Sequence, residues 1–377
     1  MVGSLKYPNS AQLSVSAVKG IRFGFEQNVE LTEVLHLFRD MVNNAIRICL
    51  EENIRGRLNL RDRIYREFID GHNLASVYPY SVAEIAWSIV KKHKRWHRTP
   101  HAKHLMMKLD SSAYTVKDGM LSLAFRPGRN AQRIDIRLRY GEYQRSFLED
   151  TTLRTGSVTI TADTVVIAFS KEIACTVPVS KVGFDINEKS LVSSDGDRYD
   201  LSEIARQQTE YGDRRAKFSE RHNEDVRLIR KVSKRSRQKE RRKQMIHTVA
   251  NAVVRKAADT SSVIVMEKLK HIRMSKRKGN GDGRSIRRRI NRWPFSMMQQ
   301  TIEYKAAWAG VAVEYVNPAY TSKKCSACGK VNRKLGAEKV WQCPCGVTHD
   351  RDLNAARNIW SRSKPVCLPV TQAGAGG

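Results

Sequence analysis

Val182-Gly183-Phe184-Asp185-Ile186 sets one carboxylate inside an otherwise apolar strand. A buried charge is costly unless it is paired or bound to a cation, so Asp185 is either a turn residue at a strand end or part of a site. Working outward, Leu191–Ser194 reads as a second strand closed by an Asp195-Gly196 turn. Residues 203–258 read as a long helical stretch, and Val263–Met266 as a buried strand that ends at Glu267. A helix with Phe295, Met298, Ile302, Ala306 and Ala309 on one face follows, then a strand over Val311–Val316. Strands alternating with helices predict an α/β domain from Lys181 onward.

Upstream the pattern differs. Residues 13–25 and 118–180 carry the period of strands, and the stretch between stays helical in flavour. Val34, Leu37, Met41, Ala45 and Ile48 recur at helical spacing, and Ser81 with Glu84 predicts a capping box for a helix carrying Ile85, Ile89 and Trp96. Ile134, Ile136 and Leu138 alternate with Arg133, Arg137 and Arg139, predicting one buried and one basic face. The expected class is a multidomain α+β chain whose N-terminal β-barrel is interrupted by a helical insertion and followed by the α/β domain.

The chain has 377 residues and a net charge of +30, with 68 Lys and Arg against 38 Asp and Glu. An excess of that size attracts polyanions, and nucleic acid is the leading partner because each neutralised phosphate releases counterions. A 41% hydrophobic content excludes a merely disordered basic tail. The apolar stretch Val165–Phe169 falls far short of the ~20 residues a spanning helix needs. Lys6, Tyr7 and Pro8 break any signal-peptide pattern, so a cytoplasmic, nucleoid-associated protein without a membrane partner is expected.

Four of the seven cysteines cluster as Cys325-Ser326-Ala327-Cys328 and Cys343-Pro344-Cys345-Gly346, while Cys49, Cys175 and Cys367 stand alone. Two thiol pairs at this separation suit one tetrahedral, structural Zn²⁺. The second pair is a residue tighter than usual, so three thiolates with His349 form an alternative to the favoured set of Cys325, Cys328, Cys343 and Cys345. The cluster runs into His349-Asp350-Arg351-Asp352-Leu353-Asn354, with Asp352 expected to open a last helix over Leu353 to Ile359. Read alone, Asp352 is an ordinary helix cap, Glu267 a surface residue at a strand end, and Asp350 competes with Asp352 for any site. Together, Asp185, Glu267 and Asp352 would suit two Mg²⁺ ions about 3.5–4 Å apart.

These residues carry a resemblance. Val182-Gly183-Phe184-Asp185 with Ser194-Asp195-Gly196, then Val263-Ile264-Val265-Met266-Glu267-Lys268-Leu269-Lys270, then Asp350-Arg351-Asp352-Leu353-Asn354-Ala355-Ala356-Arg357-Asn358-Ile359 are similar to the three RuvC nuclease motifs of the TnpB proteins. Asn291-Arg292-Trp293, Ile302-Glu303-Tyr304-Lys305-Ala306 and Pro318-Ala319-Tyr320-Thr321-Ser322 also resemble that family, with a departure at Asn187, where glycine is common. TnpB proteins are RNA-guided DNA endonucleases encoded by insertion sequences and related to compact type V CRISPR effectors. The resemblance implies an RNase H-like (RuvC) fold with Asp185, Glu267 and Asp352 as catalytic metal ligands, and guide RNA and target double-stranded DNA as partners. The domains expected are the barrel at 1–30 and 111–180, the helical recognition insertion at 31–110, the nuclease domain at 181–320 and 347–362, the zinc-binding insertion at 321–346 and, from its composition, a disordered tail at 363–377. A homodimer stays open, and a nuclease-inactive RNA-guided binder or repressor is the alternative function. A strand-joining transposase is a weaker rival, since its acids commonly run Asp, Asp, Glu.

The nucleic-acid contacts expected are Arg137 and Arg139, then Arg230, Lys231, Lys234 and Arg235 in the basic run 227–243, then Arg287, Arg288 and Arg289 in a lid-like loop over 273–292. Tyr78, Tyr80 and Trp96 are candidate base-stacking platforms; Trp293 and Trp308 read as core.

Overall fold

The computed structural model describes residues 14–93, 99–126, 132–174, 178–221, 225, 227–228, 237–269, 293–336 and 338–363. Two compact units emerge, Ser16–Glu172 and a second built on Ile173–Gly377. Trp96, Arg230, Lys231, Lys234, Arg235, Arg287, Arg288, Arg289 and all of the expected tail beyond Ser363 lie outside the described residues.

In the first unit, β1 (Ser14–Phe25) leads into helices α1 (Val29–Glu51), α2 (Arg57–His72) and α3 (Val77–Val90). Strands β2 (Met106–Leu109), β3 (Tyr114–Lys117), β4 (Met120–Arg126) and β5 (Gln132–Arg139) follow, then α4 (Glu142–Glu149), β6 (Arg154–Thr161) and β7 (Val165–Ala174). Asn28 caps α1 by accepting the Leu31 N–H at 2.9 Å. The face of α1 that packs holds Val34, Met41, Ala45 and Ile48 as expected, but Phe38 rather than Leu37 is fully buried on it. Helix α3 begins ahead of the expected capping box. Pro79 sits in its first turn, where a missing N–H costs nothing, and Ser81 is buried inside the helix.

The strands form one seven-stranded sheet in the order β2-β6-β7-β1-β5-β4-β3. It is not closed into a barrel, which corrects the expectation. The end strands β2 and β3 are consecutive in the chain, and a 3-10 turn over Ser111–Ala113 carries the backbone from one edge to the other. That turn takes the place of a ladder, and the gap is bridged by a side chain: the Tyr114 hydroxyl donates to the Gly156 carbonyl of β6 at 2.7 Å. The β5 alternation holds, with Ile134, Ile136 and Leu138 buried and Arg133, Arg137 and Arg139 exposed.

The second unit carries β8 (Ser180–Ile186), β9 (Ser190–Ser193), β10 (Arg198–Asp200), α5 (Ser202–Arg221), α6 (Gln238–Asp259), β11 (Ser262–Glu267), α7 (Phe295–Ala309) and β12 (Val313–Val316). The hairpin β13 (Val340–Gln342) and β14 (Thr348–Asp350) then runs straight into α8 (Arg351–Arg362). The sheet order is β10-β9-β8-β11-β12, antiparallel across β10, β9 and β8 and parallel across β8, β11 and β12. Alternation splits this sheet into two faces. Val182, Phe184, Ile264 and Met266 join a core with Ile246, Ala250 and Val253 of α6, Met298 and Ile302 of α7, and Trp293. Val263 and Val265 face the other way, packing with Val316 and with Ile359 of α8. Trp293 is core, as the sequence predicts, and Trp308 is half-buried. Among the described residues, no helix is long and apolar enough to cross a membrane.

Candidate functional site: three acids and a cysteine knuckle

Asp185 and Glu267 share the sheet face that α8 covers, because each lies an even number of residues from a position that packs there, Gly183 and Val265. The parallel register Val265↔Gly183 and Met266↔Phe184 brings the two acids side by side at the strand ends. Helix α8 lies against this face through Gly183. A Cβ there would fall 2.4 Å from the Ala356 carbonyl and 2.6 Å from the Trp360 nitrogen, so no larger residue lets the helix approach this closely. The first turn of α8 then delivers Asp352, whose Oδ2 accepts from the Ser190 hydroxyl at 3.3 Å.

The helix cap is Asp350. Its Oδ1 accepts the N–H groups of Asp352 at 3.1 Å and Leu353 at 2.9 Å, and its Oδ2 pairs with Arg198 at 2.8 Å. Burial opposes ionisation of Asp350, but the Leu353 N–H and Arg198 outweigh it and hold the carboxyl below its usual range. Asp350 is thereby occupied, and Asp352 is the acid left to face the site.

Asp185 is 7% exposed and receives one hydrogen bond, from the Asn187 amide at 2.6 Å. Burial first, then the Glu267 charge, push its carboxyl well above the usual range; Asn187 opposes this, Asp352 adds to it and Arg351 opposes it. Burial lifts Glu267 too, against the Thr321 hydroxyl and the charge of Arg362. None of the three acids has an ion-pair partner among the described residues. Their oxygens do not gather around one point as tightly as the thiols do; among the described residues only the cysteines bring three or more ligand atoms within 4.8 Å. The Asp185 carboxyl feels the charges of both other acids, Glu267 more than Asp352. Neighbouring acids with no ion-pair partner among the described residues fit oxygen-ligated divalent ions.

The cysteines meet as the spacing predicts. Cys325 Sγ lies 3.8 Å from Cys345 Sγ, and Cys328 Sγ 3.5 Å from Cys343 Sγ. Sulfurs each about 2.3 Å from a tetrahedral ion lie about 3.8 Å apart, whereas a disulfide would bring them to about 2 Å. The tight Cys343-Pro344-Cys345 bite is accommodated by Gly346 at φ 90°, whose N–H returns to the Cys343 carbonyl at 2.9 Å. His349 is buried against Trp341, its Nε2 3.0 Å from Cys325 Sγ, so the imidazole partners a thiolate from outside the set of four. Burial raises the Cys325 thiol, but the N–H groups of Cys328 and Ala327, together with His349, bring it down to about 6. The Cys345 N–H favours the Cys343 thiolate, yet burial and the three neighbouring thiols push Cys343 up to about 12. A cluster divided in this way fits zinc, which displaces the remaining protons.

Several residues here are not assigned by the sequence reading. The buried Asn354 and Asn358 of α8 bind the backbone of the first knuckle, and Thr321 turns its hydroxyl to Glu267. The four-residue spacing of the two amides on one helix face is the signal that could have found them. Tyr78 is no stacking platform: it is 1% exposed and its hydroxyl donates to the Ala124 carbonyl at 3.1 Å. Tyr80 remains exposed beneath the Arg61 guanidinium. Arg137 and Arg139, on the first unit's open β5 face, carry no ion pair among the described residues.

Residues 295–359 match the family model described as Cas12f1-like, TNB domain. A TnpB-like protein of Methanocaldococcus jannaschii is 32% identical over 248 residues, covering 62% of this chain and 88% of that protein. A Streptomyces pristinaespiralis protein, provisionally named an RNA-guided DNA endonuclease, is 30% identical over 265 residues; the alignment takes in 66% of this chain and 60% of that one. Among solved structures, the Cas12f1 chain of a Cas12f1–sgRNA–target DNA complex matches with a TM-score of 0.51 at 14% identity, covering 92% of this chain and 99% of that chain, a likeness of fold. With 32% identity across 88% of a TnpB-like relative, the chain belongs to the TnpB family.

Proposed function

We propose that this TnpB family member is an RNA-guided DNA endonuclease, encoded by an insertion sequence, that hydrolyses phosphodiester bonds at Asp185, Glu267 and Asp352. The observation that carries the reading is the approach of three acids from β8, β11 and α8 to one sheet face, with no cationic side chain among the described residues paired to them. The order β10-β9-β8-β11-β12, with its antiparallel and parallel halves, supports an RNase H-like, RuvC-type domain. The names of the relatives support the nuclease and its partners, guide RNA and target DNA.

Asp185, Glu267 and Asp352 would hold two Mg²⁺ ions, which when bound supply an activated water and neutralise charge on the leaving oxygen. The chain's own groups set the conditions for this. Asn187 orients Asp185, Ser190 orients Asp352, and Thr321 orients Glu267. Arg351 and Arg362 lend positive potential to the acids without pairing with them. The four thiolates would hold one structural Zn²⁺, leaving no open position for water, and brace the segment that enters α8. The exposed Arg137 and Arg139 would meet phosphates.

The test uses purified protein with its copurifying RNA, a matching DNA target and Mg²⁺. The unmutated protein should cut, and Asp185→Ala should bind the target without cutting it. Binding without cutting by the unmutated protein would favour the guided repressor; strand joining without RNA would favour a transposase.

A further inference from the structure

The cysteine knuckle and the acids are joined by one short segment. Asn354 accepts the Ser326 N–H at 2.9 Å and donates to the Lys324 carbonyl at 2.8 Å. Asn358, a turn further along α8, donates to the Lys324 carbonyl at 2.6 Å and the Thr321 carbonyl at 2.8 Å. Both amides are almost fully buried, so losing any of these bonds would strand a polar group. Thr321 is itself buried and donates its hydroxyl to Glu267 Oε1. The Pro318 carbonyl also lies 3.1 Å from that hydroxyl. A hydroxyl has one proton to give, and an ionised carboxylate is the stronger acceptor, so the bond goes to Glu267 when Glu267 is charged. The segment Thr321–Cys325 thus has one end on a nuclease acid and the other on a thiolate. The helix that clamps it carries Asp352 in its first turn.

We propose that Thr321 is a positioning residue for Glu267, and that through Asn358 and the Thr321–Cys325 segment it couples the cation held by the acids to the ion held by the cysteines. The inference rests on the carboxylate reading given above. An ordered knuckle fixes Thr321, and Thr321 restricts Glu267 to few rotamers, so less freedom is lost when Glu267 takes up a cation. Coupling of this kind is reciprocal: a cation on the acids must tighten the hold of the cysteines on their ion by the same factor.

The test uses the full-length, zinc-loaded protein without nucleic acid, with Mn²⁺ as the probe, read by calorimetry. Zinc content is read by mass spectrometry, and the equilibrium partition of zinc between protein and a coloured chelator by absorbance. Thr321→Val keeps the shape and removes the hydroxyl; Thr321→Ser keeps the hydroxyl. Thr321→Val should retain one zinc per chain while binding Mn²⁺ roughly tenfold more weakly, and Thr321→Ser should restore the affinity. Saturating Mn²⁺ should shift the equilibrium partition of zinc toward the unmutated protein and leave the partition for Thr321→Val unchanged. Unaltered Mn²⁺ affinity in Thr321→Val, with or without a lower melting temperature, overturns the proposal, and so does a Thr321→Ser variant that restores nothing. Should Thr321→Val fail to fold, the equilibrium partition of zinc between the unmutated protein and the chelator decides alone, and a partition indifferent to Mn²⁺ overturns the coupling. If the unmutated protein binds no Mn²⁺ at all, the carboxylate reading itself falls.

Discussion

Asp185 is an acid whose surroundings oppose its charge. It is buried, it accepts one hydrogen bond, and it lies within the field of Glu267 and Asp352. An acid whose folded-state pKa is raised favours the fold when neutral. That contribution is complete below the ordinary carboxylate range and is lost as pH climbs through the raised value. Asp185→Asn should therefore raise the melting temperature at neutral pH without added Mg²⁺, by a stabilisation of about 1–3 kcal/mol. The advantage should shrink as the pH falls, because the unmutated acid then takes up its proton. Melting curves across the pH range check this, and a variant equally or less stable at neutral pH would contradict it. On sequence alone Glu267 is open to a surface reading, and the choice between Asp350 and Asp352 is undecided. Both depend on neighbours remote in the chain: Thr321 for the first, Arg198 and Ser190 for the second.

At the scale of the element, α8 and its seat on β8 decide whether a site exists. The helix is short, and its apolar contact with the sheet includes Ile359 against Val263 and Val265. Its depth is set by Gly183, and its angle by the Asp350 cap and the two asparagines on the knuckle backbone. Gly183→Ala places a methyl against the backbone of Ala356 and Trp360, neither of which can rotate away. The helix must back off, at about 1–3 kcal/mol, the usual cost of overpacking. Asp352 would move with it. Chemical denaturation should show the loss of stability, and calorimetry with Mn²⁺ should show weaker binding although no acid has been altered. Unchanged Mn²⁺ affinity would mean that the helix position does not control the acids. The β8, β11 and α7 patterns are readable in advance, since each has a run or a helical face of apolar residues strong enough to mark the element. The start of α3 is not, because Ser81 and Glu84 imitate a cap while Pro79 marks the true first turn.

For the whole molecule the dominant quantity is the net charge of +30. Binding to a polyanion should weaken steeply with salt, each neutralised phosphate adding about 0.9 to the slope of log affinity against log salt. Charge reversal of Arg137 and Arg139 together should lower the affinity for the nucleic-acid partner and reduce the salt slope by about one for each phosphate left without its arginine. The zinc content and melting temperature of this double variant should stay as they are, since both side chains stand exposed on an open strand face. Titration at several salt concentrations checks this, and an unchanged slope would remove β5 from the nucleic-acid surface. The first unit also shows where pattern reading ends. Alternation in β5 predicts which side chains are buried, whereas closure of the sheet depends on how β2 and β3 pair, and no local pattern encodes that.

The residues in order were enough to show the motifs that carry the family resemblance, the acid in an apolar strand, the paired thiols and the excess of positive charge, because each is a property of composition or local sequence. Folding in three dimensions decided the rest. It left the seven-stranded sheet open, buried Tyr78, gave Asp350 to the helix end and freed Asp352, kept His349 outside the four thiolates, and laid Thr321 between Glu267 and the knuckle. Each of these turns on groups far apart in the chain being brought within hydrogen-bonding or van der Waals range, and only the packing of one element on another can do that.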